Sequence, residues 1–248
     1  MTKIYAEIIG TMILVFLGNG VVANVVLSKT KGHSKNIGWL TITIGWSLAV
    51  FMGIIVAGPY SGAHLNPCVT ISFAIIGKFN WKMVPFYIFS QFIGAMLGSL
   101  FVWFLYKDHF IETKEEKDKL SVFVTVPSIK NLFSNFLNEV LATCIFIFIS
   151  LYLSTEGTLF FKEEKYPIGL GSLGAFPCAL VVLGVVLSLG GSTGAAINPA
   201  RDLGPRIMYS ILPIPGKGKS NWDYALIPIL GPITGCIIAA ILYLFLSS

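Results

Sequence analysis

The chain has 248 residues, of which 55% are hydrophobic and only 12% charged, with a mean hydropathy of +0.79. A soluble domain carries about 25% charged residues, so this composition marks a polytopic membrane protein. The net charge of +5 is small and scattered, and no Lys/Arg cluster interleaves with aromatics, which gives nucleic-acid binding little support.

Taken in chain order, the first apolar run covers about 4–27 and carries Glu7. It begins three residues in and has no small-residue cleavage site, so it reads as a retained span and not as a signal peptide. A second run, about 37–57, leads into Gly58 to Leu65 and then Asn66-Pro67-Cys68. The stretch Val69 to Gly77 is apolar but only two to three turns long. A run over about 84–106 follows, then a long connector of mixed charge from Lys107 to Lys130. The fourth run, about 133–154, carries Glu139. A polar connector, Ser154 to Pro167, separates it from the fifth, about 168–190. Leu189 to Ile197 leads into Asn198-Pro199-Ala200, and Asp202 to Leu212 is a second short apolar piece. After a Pro/Gly/Lys-rich stretch, the last run covers about 223–246. A span needs about 20 mostly apolar residues, so six runs qualify. A ten-residue helix covers about 15 Å, half the hydrocarbon core, so the pieces after Pro67 and Pro199 are half-helices. Each Asn is suited to cap its helix and each Pro to open it.

The two Asn-Pro motifs lie 132 positions apart, and so do Glu7-Ile8-Ile9-Gly10-Thr11 and Glu139-Val140-Leu141-Ala142-Thr143. Two landmarks at one spacing indicate a duplicated unit. The division is a first repeat over 1–106, a connecting loop over 107–132 and a second repeat over 133–248, all within one transmembrane domain. Each repeat holds three spans and one half-helix. Three is odd, so the second copy enters from the opposite side, and the repeats are inverted. The fold expected is an all-α membrane protein with six transmembrane helices and two re-entrant half-helices meeting N-terminus to N-terminus.

Non-helical backbone survives at membrane depth only when buried in protein or facing a water-filled cavity. A pore supplies that cavity. Asn66 and Asn198 would turn their NH2 donors into it, and the two helix N-termini add partial positive charge that repels cations and protons. Carbonyls of Gly62, Ala63 and His64, and of Gly194, Ala195 and Ala196, would line one wall against apolar span faces. Such a tube suits water, and also a carbon chain with hydroxyls on one edge. Glu7 and Glu139 read as acceptors for the irregular lead-in backbone, in preference to proton carriers. The four cysteines (Cys68, Cys144, Cys178 and Cys236) have neither metal nor disulfide spacing, and neither a metal nor a cofactor is called for. His33 and His109 fall in connectors.

Together these residues resemble the major intrinsic protein family, the aquaporins and glycerol facilitators. The resemblance extends to Gly94/Gly98 and Gly231/Gly235, pairs that permit close helix approach. Asp202 after Arg201, then Arg206, then Pro228-Ile229, are similar to the glycerol-facilitator branch. The resemblance implies a homotetramer with one pore per protomer, both termini cytoplasmic, in a cell membrane; the short termini and lack of a glycosylation sequon suit a bacterial inner membrane. Charge counting leans the other way. Lys3, Lys78, Lys82, Lys162 and Lys165 share the side of the N-terminus, leaving twelve of the 17 Lys/Arg opposite.

The family's outer selectivity filter carries over to Trp46, Val186, Ala195 and Arg201. Val186 stands where water-selective members place His, and Ala195 where glycerol facilitators place an aromatic, which widens the filter. The Trp/Val/Ala/Arg set resembles one in plant nodulin-like members. Cys68 replaces the family's Ala; it reads as a small packing residue or, more sharply, as a pore-side thiol. His64 reads as lining or packing in preference to a pH gate. The reading is a passive channel for glycerol, urea-like neutral solutes and water. A water-selective channel is the alternative, followed by a coupled transporter; no nucleophile–base pair supports an enzyme.

Overall fold

A computed structural model describes residues 1–33, 38–153, 157–161, 164–168 and 171–247, with side chains over the same residues except 157–161 and 164–168. Six helical segments are long and apolar enough to cross a membrane. They contain α1 (Thr2–Val26), α2 (Gly38–Ser61), α4 (Val84–Leu105), α7 (Leu132–Leu153), α8 (Phe176–Leu189) and α10 (Ile227–Ser247). Between them lie the half-helices α3 (Pro67–Ile75) and α9 (Pro199–Ile211) and two short connector helices, α5 (Lys107–Glu112) and α6 (Glu116–Ser121).

The contacts recur in pairs. Helix α1 packs on α2 and α4, as α7 packs on α8 and α10. Half-helix α3 packs on α10, and α9 on α4, so each repeat's half-helix rests on the other's last span. At the α2–α8 contact, Ser47 Oγ donates to the carbonyl of Ala179, its own equivalent 132 positions on, at 2.7 Å. Close approach rests on glycine. A Cβ on Gly94 or Gly98 would fall 2.4 Å from the Ile8 carbonyl or 2.6 Å from that of Met12; one on Gly231 or Gly235 would fall 2.6 Å from Glu139 Cβ or 2.4 Å from the Val140 carbonyl. With no hydrophobic drive between helices in lipid, such backbone contact is what holds spans together. The outer faces are apolar. Leu40, Ile44, Leu48, Met52 and Val56 recur every fourth residue along α2, and all are exposed.

Four local expectations are corrected. Helix α2 runs through Pro59 to Ser61, so the irregular lead-in starts at Gly62, not Gly58. Ala57 and Ser61 are buried, and this packing outweighs the local Gly-Pro signal. The fifth span starts later than 168: a 3-10 turn at Gly171–Ala175 precedes α8. The connector before it contains the only strands among the described residues, an antiparallel hairpin pairing Gly157–Phe161 with Glu164–Ile168. The sixth span starts at Ile227 after turns at 222–226.

The connector after α4 was expected to be a polar loop, yet it folds inward. Leu120, Val122, Phe123 and Val124 are buried, and Phe123 packs against Phe110 and Tyr209. Lys119, also buried, donates through Nζ to the carbonyl of Pro215 at 2.6 Å. Lys217 ends α9 by donating to the carbonyls of Tyr209, Ser210 and Leu212 at 2.6–2.9 Å. Exposed ion pairs join Lys29 to Glu112 and Lys130 to Asp223, and each lysine's hydrogen bond holds its carboxyl below the usual range.

Candidate functional site: a series of cavities through the helix bundle

The sequence Asn-Pro builds each half-helix start from its side chain outward. Asn66 is the N-cap of α3, in extended backbone, and its Oδ1 accepts from the Cys68 amide at 2.8 Å. Asn198 does the same for α9, accepting from Ala200 and Arg201 at 3.1 and 3.2 Å. Pro67 and Pro199 occupy the first helical position, where no amide donor is needed. The two caps also hold each other. Asn66 Nδ2 donates to the Ile197 carbonyl and Asn198 Nδ2 to the Leu65 carbonyl, both at 2.9 Å. One hydrogen of each amide is therefore committed across the junction, and one is left for the lumen, where the sequence suggested two.

The lead-ins are held in a costly conformation. Ala63 and Leu65 have φ of 51° and 52°, and Ala195 and Ile197 both have 43°. Residues with a Cβ seldom enter this left-handed region, and a surrounding structure must impose it. Two buried carboxylates do so. Glu7 accepts from Ser61 Oγ (2.7 Å), the His64 and Leu65 amides (3.0 and 2.8 Å) and Gln91 Nε2 (2.8 Å). Glu139 accepts from Thr193 Oγ1 (2.7 Å) and the Ala196 and Ile197 amides (3.0 and 3.2 Å). In a trans peptide the N–H and C=O point opposite ways. Turning the amides of 64 and 65 toward Glu7 thus turns the carbonyls of Ala63 and His64 away from it, and Glu139 does the same for Ala195 and Ala196. The amides of Ala63 and Ala195 are drawn to Ser61 and Thr193 hydroxyls, which turns the carbonyls of Gly62 and Gly194 likewise.

Three cavities face these loops in series. The narrowest, about 50 Å³, is lined by Trp46, Val186, Arg201 and the 194–198 backbone. It shares Leu14, Val50, Phe146 and Asn198 with a cavity of about 260 Å³ along Gly62 to Asn66. It shares Trp46, Val186, Gly194 and Arg201 with one of about 220 Å³ that opens toward Lys117 and Pro127. The four residues read from sequence as one ring thus line one narrow place. There the Arg201 guanidinium lies 4.0 Å over the Trp46 ring, a cation–π contact. Its Nη1 is buried with no hydrogen-bond partner among the described residues.

The other residues singled out separate into support and lining. Asp202 and Arg206, fully buried, form an ion pair at 2.7 Å. Asp202 Oδ2 accepts from the amide and hydroxyl of Thr125, and Arg206 Nη1 donates to the carbonyls of Ser220 and Asn221. Together they tie two connectors to α9. Pro228 is buried in the first turn of α10, with Ile229 half-buried beside it. His64 lines the larger cavity; its ring meets Thr70 Oγ1 at 3.1 Å and packs among Phe73, Phe79 and Tyr87. Cys68 is fully buried in contact with Cys236 of α10 and lines none of these three cavities, which places its thiol in packing and not at the pore side. Among the described residues no three His, Cys, Asp or Glu side chains gather as a metal would need.

Some contributors were missed from sequence. Ser61 and Thr193 stand 132 apart, five residues before their Asn, and that spacing alone could have flagged them. Gly18 had no such signal. A Cβ there would lie 2.2 Å from the Trp46 ring, so Gly18 makes the room in which that ring lies. Gly18→Ala is expected to push the indole toward the narrow cavity and lower solute flux at unchanged protein yield, as read by flux per reconstituted protein.

The sequence profile described as Major intrinsic protein matches residues 1–243. The chain belongs to the major intrinsic protein family. It is 48% identical over 243 residues to a probable glycerol uptake facilitator protein of Thermotoga maritima, covering 98% of each chain. It is 44% identical to the glycerol uptake facilitator protein of Bacillus subtilis, covering 98% of this chain and 84% of that one. Its fold matches the crystal structure of the aquaglyceroporin from Plasmodium falciparum with a TM-score of 0.82 at 32% identity, covering 98% and 94% of the two chains. Six apolar spanning helices in a chain of this family make it a membrane protein.

Proposed function

We propose that this member of the major intrinsic protein family is a passive channel for glycerol and similar small uncharged solutes, with water, in the cell membrane of a bacterium, and that it assembles as a homotetramer with its termini cytoplasmic. The observation that carries the reading is the narrow cavity itself. Its lining combines polar groups (the unpartnered Nη1 of Arg201, the Asn198 amide and a row of turned carbonyls) with the apolar surfaces of Trp46, Val50, Val182 and Val186. A polyol matches both kinds of surface, hydroxyls on one edge and C–H on the other. The fixed charge of Arg201 and the positive ends of α3 and α9 oppose cations. The names of the relatives support the solute. In this reading Trp46, Val186, Ala195 and Arg201 form the selectivity filter, and Glu7 and Glu139 hold the loops.

Among the described residues the narrow cavity is lined by no carboxylate and no histidine that could carry a coupled proton, so uptake should equilibrate. In proteoliposomes, labelled glycerol is expected to reach the outside concentration and stop, with no response to a protonophore; uphill accumulation that the protonophore abolishes would overturn the channel in favour of a coupled transporter. Ala195→Phe adds an aromatic wall to the narrow cavity. It is expected to cut urea and glycerol fluxes more than water flux, and equal losses would show that Ala195 does not set the aperture.

A further inference from the structure

The inverted repeat gives most lining residues a partner 132 positions away, and the exceptions mark where the two halves differ. Val50 and Val182 are such a pair, and both line the narrow cavity. Leu14 of α1 pairs with Phe146 of α7, and here the second repeat has an aromatic where the first has an aliphatic. Phe146 is only 8% exposed, and it lines both the narrow cavity and the larger one beyond it. The walls common to those two cavities are Leu14, Val50, Phe146 and Asn198. They are the neck through which anything leaving the Trp46/Arg201 level must pass, and Phe146 is its largest and stiffest member.

We propose that Phe146 is a second specificity-determining residue, a sieve at the level of the asparagines that sets the size limit for polyols. This rests on the solute-channel reading above. Ala195 leaves the outer constriction with one aromatic wall; Phe146 restores bulk one step further in, in the neck it shares with Asn198. A three-carbon polyol satisfies this neck by turning its hydroxyl edge to Asn198 while its carbon edge slides over the ring. A longer or branched solute cannot hold both contacts and clear the ring together. Where sites differ by one or two methylenes of space, discrimination is about tenfold or more.

The test is the ratio of ribitol to glycerol flux in proteoliposomes of the full chain. Phe146→Leu, which reproduces its repeat equivalent Leu14, is expected to raise that ratio by about tenfold with water flux changed far less. Phe146→Trp is expected to lower it. Size-exclusion profiles confirm that both variants are folded, and the opposite signs separate a sieve from general loosening of the core. An unchanged ratio in both variants, or a fall in both, overturns the proposal. A wild-type protein that passes water alone would overturn the solute-channel reading instead, and the sieve would then stand or fall on whether Phe146→Leu admits glycerol.

Discussion

Glu7→Ala is expected to leave little folded protein. The carboxylate is fully buried and accepts from four donors: the Ser61 hydroxyl, the His64 and Leu65 amides and the Gln91 side chain. Removing the acceptor strands three of them away from water, since the Ser61 hydroxyl keeps the Ala57 carbonyl at 3.2 Å as a second acceptor, and each orphaned buried donor costs about 1–3 kcal/mol. The sum is comparable to the whole margin of a folded domain, about 5–15 kcal/mol. The loss is amplified because the same bonds impose the left-handed φ at Ala63 and Leu65. Glu139→Ala should cost less, since Glu139 accepts from three groups, not four. Melting followed by fluorescence-detected size exclusion checks the order: Glu7→Ala lowest, Glu139→Ala next. Melting of Glu7→Ala at the wild-type temperature would show that the lead-in loops hold their shape without it.

Arg201→Val is expected to open the channel to cations while keeping it permeable to neutral solutes. The guanidinium is the only full charge lining the narrow cavity among the described residues, and it lies 4.0 Å over the Trp46 ring. A unit charge about 4 Å away in surroundings of effective dielectric about 20 raises a cation's energy by roughly 4 kcal/mol, about three orders of magnitude in rate. The helix N-termini at Asn66 and Asn198 would remain as a weaker barrier, so the expected rise in proton or potassium leak is about tenfold or more, below that full value. A pH-sensitive dye inside proteoliposomes under an imposed potential measures it. No rise would mean that the paired helix termini suffice.

The sequence was most legible where geometry repeats. The spacing of 132 exposed the duplicated Asn-Pro starts and the duplicated glutamates, because an inverted repeat needs the same capping and the same loop acceptor in both halves. Pro67 and Pro199 marked the helix starts for a purely local reason, and the structure has them at the first helical position. Local reasoning failed where tertiary contact decides. The second run ends at about 57 in sequence, with Gly58 to Leu65 as its lead-in, yet packing of Ala57 and Ser61 carries α2 through Pro59 to Ser61. The connector 107–130 looked solvated because it is rich in charge, yet its tail is drawn in by the Thr125–Asp202 hydrogen bonds, between residues 77 apart in sequence. Gly18 was silent because its role is an absence of atoms beside Trp46. Phe146 stood in an apolar span like any core aromatic, and only the cavities on both sides of it distinguish it.

Stopped-flow light scattering on proteoliposomes tests the central claim most directly. After a hyperosmotic step in glycerol, vesicles carrying the protein should shrink rapidly as water leaves and then reswell as glycerol enters, at a rate proportional to protein content, while an internal pH dye stays flat. Rapid shrinkage with no reswelling beyond that of empty vesicles would contradict the account and make the protein a water channel.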